Sequence, residues 1–270
     1  MKKELVCSSR GPVTIFSRHV VLNDFADTLL SGLPENFELP QPVAIICGIH
    51  NNYRRAVYKN HFTIAIQTEQ LLDENGVALW GLRRPRIHKT LLKHLFHADL
   101  LLDLSVSNRP AYRWCPGLLK RRLRFGPYIF PSRAPEYVPA TSPRGVFIGE
   151  LSDRRRAMLE SLPADTVDIV SGGLYGAALT AAITKHRGIV NVHNEAGVYT
   201  EYPRLLLALH AGKPVFSEPL SKELLAGRHY FDLNATPDDD ELAEVYTNMA
   251  ALLTSDYSFA DFLRQNVPPA

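Results

Sequence analysis

NVHNEAGVYTEYPRLLLALHAGKPVFSEP, Asn191 to Pro219, sets a polar cluster between two apolar segments with a helix joining them. The spacing predicts a strand over 188–192, with His193, Asn194 and Glu195 just past its end. A helix follows from Tyr202 to Ala211, with Leu205, Leu206, Ala208 and Leu209 on its apolar side and Gly212 as its stop. Pro214 to Phe216 then form another strand, ending in Ser217 and Glu218. In an open parallel sheet both polar groups emerge at the carboxyl edge, where ligands bind. A βαβ unit that presents His, Asn, Glu, Arg and Ser-Glu together reads as a ligand site.

Outward from this unit the same habit recurs. Upstream lie strands near 146–148 and 167–170, and downstream 229–231 reads as one more. In the first half, apolar runs at 13–16, 43–47, 63–67, 100–104 and 128–130 alternate with helical patterns at 25–33 and 87–97, an α/β arrangement. Between the halves, PSRAPEYVPATSPRG (131–145) carries four prolines, which block helix and central strand alike. The domain boundary is expected there, giving domains 1–135 and 136–270. A helix near the C-terminus is signalled by Thr236 as N-cap, Pro237 as its first residue and acids in its first turn. A final helix spans roughly 257–265.

The 270 residues and 46% hydrophobic content suffice for two packed cores. The opening MKKELVCSSRGPVTIF lacks the apolar run of about 7 to 15 residues of a secretory signal. Apolar runs such as LLLAL fall far short of the roughly 18 residues that span a bilayer. Cys7, Cys47 and Cys115 form neither a disulfide framework nor a CxxC zinc site. These features point to a cytoplasmic protein. A net charge of +2 hides an asymmetry. Residues 1–135 hold 19 Lys and Arg against 10 Asp and Glu, and residues 136–270 hold 11 against 18. The basic stretches 82–97 and 118–130 interleave cations with apolar residues, which suits peripheral contact with an anionic membrane or with nucleic acid phosphates. Solvated helix faces explain the pattern as readily.

Further motifs sit at strand ends. GVFIGELSDRRRAMLESL (145–162) reads as strand, tight turn at Gly149, cap at Ser152 or Asp153, and a helix begun by Arg154 and Arg155. Free N–H groups and guanidinium forks there suit a diphosphate. Cations at a helix N-terminus oppose the dipole and so need a reason. SGGLYG (171–176), with Gly172 and Gly173, allows close approach of backbone to a ligand, or is a plain strand-to-helix turn. Its spacing is not GxGxxG, although Glu195 lies about where a dinucleotide fold needs its ribose acid. Glu201 and Arg204, spaced i, i+3, share a helix face and can pair. In the first half His50 and Glu69 follow strands and Asp24 is expected at a strand-to-helix junction. Each is a candidate general base for an acceptor hydroxyl, or a cap or loop residue.

These residues resemble a family. The second half looks like the nucleotide-binding domain of GT-B glycosyltransferases, and is similar to the family 1-like bacterial and viral type. The match over 145–225 rests on the Gly149–Arg155 turn, the GGLYG turn, and Asn191, His193, Glu201, Arg204, Ala208, Leu209, Gly212, Val215, Ser217 and Glu218. The resemblance implies an α/β fold of two Rossmann-like domains facing each other across a cleft. It implies metal-independent transfer of a sugar from a nucleotide-sugar donor, without a cofactor, to an acceptor held by the first domain. Gly149, Arg154 and Arg155 would face the diphosphate. Gly172, Gly173, His193, Asn194, Glu195, Glu201, Arg204, Ser217 and Glu218 would surround sugar, ribose or phosphate, with Glu201 a hydrogen-bond acceptor. Two departures stand out: the glutamate pair of many retaining members is replaced by Tyr199 and Leu207, and Glu150 follows the phosphate-loop glycine. A GT-B-like protein without turnover, or a dinucleotide-dependent oxidoreductase, are the other classes the sequence permits.

Overall fold

The computed structural model describes residues 5–48, 61–79, 84–170 and 173–269, with backbone alone at 84–90. It divides into two compact units, residues 1–132 with 256–270, and residues 133–255.

The first unit holds a six-stranded sheet in the order β1-β2-β3-β4-β5-β6. Strand β1 (Val6–Arg10) runs antiparallel to β2 (Val13–Ser17), and every later neighbour is parallel. Strands β3 (Val43–Cys47) and β5 (Leu100–Asp103) are buried throughout, as is β4 (Phe62–Gln67) beyond its first residue. Such continuous apolar runs are what central parallel strands covered on both faces require. Helix α1 (Val20–Ser31) starts earlier than its periodicity suggests, because the His19 ring accepts from the Val21 N–H at 3.3 Å and caps it. Helix α2 (Arg84–His97) precedes β5. A 3-10 turn (Val106–Tyr112), the short α3 (Gly117–Lys120) and β6 (Leu123–Phe125) follow it. The edge strand is thus 123–125 rather than 128–130. The latter stretch is flanked by Pro127 and Pro131 and contributes one isolated bridge, Phe130 to Ser258.

The second unit holds a parallel sheet in the order β11-β10-β9-β7-β8. Its elements are β7 (Gly145–Ile148), α4 (Asp153–Glu160), β8 (Val167–Val170), α5 (Gly176–Thr184), β9 (Ile189–Asn191), α6 (Tyr202–His210), β10 (Val215–Ser217), β11 (Phe231–Asp232) and α7 (Asp239–Asp256). On α6, Leu205, Leu206 and Leu209 are at most 1% exposed, each side chain contributing about 1.5–3 kcal/mol by burial. Gly212 ends that helix at φ +66°, and a Cβ there would stand 2.6 Å from the Glu136 carbonyl. The proline-rich stretch is strapped on at this corner. The Val138 N–H donates to the Gly212 carbonyl, and Tyr246 donates its hydroxyl to the Pro135 carbonyl. Buried Lys213 donates to the Val138 carbonyl at 2.6 Å.

Two local expectations are corrected. Helix α7 is capped by Asp238, not Thr236: Asp238 accepts from the Glu241 N–H and Glu241 reaches back to the Asp238 N–H, a reciprocal box. The Pro237 carbonyl instead accepts from Arg187. The last helix, α8 (Phe259–Asn266, capped by Ser258), belongs to the first unit, where Phe262 stacks on Tyr128 and Asn266 accepts from Arg124. A division at one point in the chain does not anticipate that return.

Candidate functional site

Strand β7 has β8 on one side and β9 on the other, so the chain leaves the carboxyl ends of β7 and β9 in opposite directions, toward β8 and β10. Counted along the sheet the order is the flavodoxin-like 2-1-3-4-5, whose ligand crevice opens where the first and third strands end. The residues found there are the polar cluster of the sequence. Gly149 ends β7 at φ +143°, and a Cβ on it would lie 3.5 Å from Arg204 Nη2 and 3.9 Å from Arg155 Nη1. Bare backbone is therefore held against two guanidinium groups. Ser152 caps α4, its hydroxyl accepting from the Arg155 N–H at 3.4 Å.

The arginines that begin α4 against its dipole have carboxylate partners. Arg154 grips Glu218 with both Nη atoms and donates to the His193 carbonyl at 2.6 Å. Arg155, side chain 8% exposed, donates from Nε to the Val192 carbonyl, from Nη1 to the Glu150 carbonyl and from Nη2 to Glu201 Oε1 at 2.9 Å. Arg204 takes the other oxygen of Glu201, from Nε at 3.1 Å and Nη2 at 2.9 Å, and donates to the Ile148 carbonyl. The i, i+3 pair foreseen in the sequence is thus one arm of a part-buried Arg–Glu–Arg triad. Both guanidinium carbons lie 5.6 Å from the centroid of Phe147 on β7, which supports them as a π-face.

The electrostatics follow from this wiring. Burial lowers Arg155 from its ordinary range, with Glu201 opposing. Burial pulls Glu201 up, but Arg204 and Arg155 together hold its carboxyl below its ordinary value. Glu218 is likewise lowered, its desolvation outweighed by Arg154 and by the His193 N–H, which donates at 2.7 Å. Three guanidinium groups face two carboxylates, leaving one positive charge in excess. Among the described residues Arg204 uses three of its five N–H groups.

His193 stands at the rim of this cluster, fully buried, with burial lowering its pKa. Its Nδ1 faces the Gly197 carbonyl at 3.1 Å, which fixes the proton on Nδ1, and its ring stacks on Tyr199 at 4.1 Å. Its Nε2 is buried and has no hydrogen-bond partner among the described residues. Asn194 and Glu195 are half-buried in the loop after β9, where the Glu195 N–H donates to the Tyr199 hydroxyl. Ser217 is buried and accepts from Asn191 Nδ2 at 2.8 Å. Gly173 is exposed with φ +82°, and Gly172 lies outside the described residues.

In the first unit, Glu69 lies just past β4, its carbonyl accepting from Gln67 and Asn108. Asp24 sits in the second turn of α1 rather than at the junction, which falls at Arg18 and His19. His50 lies outside the described residues. Sequence reading passed over Phe147, the stacking of Tyr199 on His193, and a buried knot at the end of β5. There Asp103 accepts from Tyr112 Oη at 2.6 Å, from Asn108 and from the Ser105 N–H, and burial pushes its carboxyl up to about 7. Asn108 in turn accepts from the Leu71 and Leu72 N–H groups. The spacing of Asp103, Asn108 and Tyr112 was the available signal. Among the described residues no group of three or more His, Cys, Asp and Glu converges as a metal site, and no helix is long and apolar enough to cross a membrane.

No protein-family model and no curated protein matches the sequence. Solved structures do match. HepE from Anabaena in complex with UDP-glucose aligns with 83% of this chain and 77% of its own, at 8% identity and a TM-score of 0.51. The chain has a GT-B-like fold. A second HepE structure, with UDP and glucose, aligns over 92% of this chain and 79% of its own, at 8% identity and the same TM-score. TarM aligns over 90% of this chain and 54% of its own, with 10% identity and a TM-score of 0.39.

Proposed function

We propose that this protein transfers a sugar from a nucleotide-diphosphate-sugar donor, without a metal, to an acceptor bound by the first unit. One observation carries the reading: the excess positive charge of the Arg154, Arg155 and Arg204 cluster lies at the carboxyl ends of β7 and β9, against the bare backbone of Gly149 and the start of α4. Backbone N–H groups and guanidinium forks at such a place bind a diphosphate and stabilise the negative charge that grows on it as the glycosidic bond breaks. HepE binds UDP-glucose on a similar fold, which supports a donor of this class here.

In this mechanism Arg204, with its remaining N–H groups, and the start of α4 hold the diphosphate. Glu201 spaces the two guanidinium groups, and its Oε1, which takes a single bond from Arg155, has a lone pair left to accept from a ribose or sugar hydroxyl. His193, fully buried, serves the donor side through its backbone, its N–H donating to Glu218 and its carbonyl accepting from Arg154. Asn194, Glu195, Ser217, Glu218, Gly172 and Gly173 complete the donor side. On the acceptor side Glu69, Asp24 and His50 are the candidates to deprotonate the incoming hydroxyl.

A panel of UDP-, GDP-, TDP- and CMP-sugars, read by thermal shift and by slow hydrolysis, tests the reading. At least one sugar nucleotide raises the melting temperature and is hydrolysed; no shift with any of them refutes the proposal. A second reading, binding without turnover, is favoured by the pairing of both cluster glutamates with arginine. It predicts the shift without hydrolysis. Fluorescence enhancement of NADH would instead support the oxidoreductase class.

A further inference from the structure

The crossover from β5 to β6 has a composition the transfer reading does not use. Residues 104–125 contain six Lys and Arg and no Asp or Glu. Two of the six are structural: Arg122 donates to the Leu95 and Ala98 carbonyls, and Arg124 to Asn266. The other four, Arg109, Arg113, Lys120 and Arg121, are exposed, and among the described residues none of them pairs with a carboxylate. Among these cations stands Leu118, 76% exposed on the first turn of α3, after exposed Pro116 and Gly117. Its neighbours in the chain, Cys115 and Leu119, anchor the segment in the core together with Leu91 and Leu95 of α2. Trp114 is half-buried against that cluster. On α2 the next residue, Phe96, is 60% exposed.

We infer that this face docks on an anionic lipid bilayer, with Leu118 and Phe96 entering the headgroup boundary and Arg109, Arg113, Lys120 and Arg121 on the lipid phosphates. Charge complementarity selects an anionic partner, since four cations without counter-ions attract an acidic surface and are screened within about 8–10 Å at physiological salt. The apolar residues select lipid over nucleic acid. A phosphate backbone offers nothing to an exposed leucine, whereas an interfacial segment needs apolar side chains pointing outward beside its cations. The anchored core beneath, from α2 and α3, holds these side chains out without a folding step on contact.

The full chain is tested by co-sedimentation with vesicles of phosphatidylglycerol and phosphatidylcholine in about a 1:2 ratio, against phosphatidylcholine alone. The surface predicts binding to the mixed vesicles only, its loss at about 0.5 M NaCl, and roughly tenfold weaker binding for Leu118→Asp and for Lys120→Glu/Arg121→Glu. Unchanged melting temperatures in the variants show that the fold is intact. The inference is overturned by failure to bind mixed vesicles, by equal binding to phosphatidylcholine, by insensitivity to Leu118→Asp, or by tighter binding to duplex DNA that Leu118→Asp leaves intact. None of these readouts involves a nucleotide, so they stand or fall apart from the transfer reading.

Discussion

Glu201→Ala removes the one carboxylate that Arg155 and Arg204 share. The lost contacts are three charge-assisted hydrogen bonds, one from Arg155 and two from Arg204. What remains is two guanidinium groups over one ring, side chains 8% and 13% exposed, with the nearby Glu218 already held by Arg154. Breaking a buried ion pair by removing one partner costs about 3–5 kcal/mol. The carbonyls of Val192, Glu150 and Ile148 still accept from the two arginines, and Glu201 is itself 22% exposed, so the lower part of that range, about 3 kcal/mol, is expected. Urea denaturation with a double-mutant cycle measures it. Arg204→Leu combined with Glu201→Ala should be less damaging than the sum of the two by about 1–3 kcal/mol, since the double variant leaves one guanidinium, Arg155, without its carboxylate where Glu201→Ala leaves two. The freed charges should also make inorganic pyrophosphate a stronger stabiliser of Glu201→Ala than of the natural protein. A loss below about 1 kcal/mol with additive single effects would place the triad among solvated surface pairs and refute the reasoning.

Gly149→Ala meets positive φ and two guanidinium groups at 3.5 and 3.9 Å, so it should lose about 1–3 kcal/mol in thermal denaturation and weaken nucleotide binding together. Tyr112→Phe withdraws a buried hydroxyl from Asp103, an expected loss of about 1.5–3 kcal/mol in the same assay. Lys213 is fully buried and its pKa is pushed down from 10.5 to about 8. The unfolded chain then binds more protons between about pH 8 and 10.5, so stability contributed here rises with pH across that window. Relative to Lys213→Met, the natural protein should gain about 3 kcal/mol between pH 8 and 10.5 in urea titrations, and parallel profiles would contradict the buried ammonium.

The βαβ unit around α6 was legible because apolar spacing, a glycine stop and strand-end polar residues agree there. Strand β1 was not: its residues alternate between exposed and half-buried, so no apolar run marks it. The return of α8 to the first unit was hidden because Phe262 and Asn266 show their partners, Tyr128 and Arg124, only in three dimensions. At the site, the sequence placed Arg154, Arg155, Glu201, Arg204 and Glu218 at one sheet edge. Which arginine takes which carboxylate depends on the ends of β7, β9 and β10 lying side by side, which spacing along the chain does not encode. The opposition between the first-turn arginines and the helix dipole was the one visible sign that carboxylates had to stand nearby.

The central claim, that this cluster holds a nucleotide diphosphate, is tested most directly by calorimetric titration of the natural protein with UDP, UMP and uridine, repeated with the guanine series. One charge-assisted hydrogen bond to the second phosphate is worth about 1.5–3 kcal/mol, so the diphosphate of the preferred base should bind roughly 10- to 100-fold more tightly than its monophosphate. Equal affinities for diphosphate, monophosphate and nucleoside, or no heat from any of them, would contradict it.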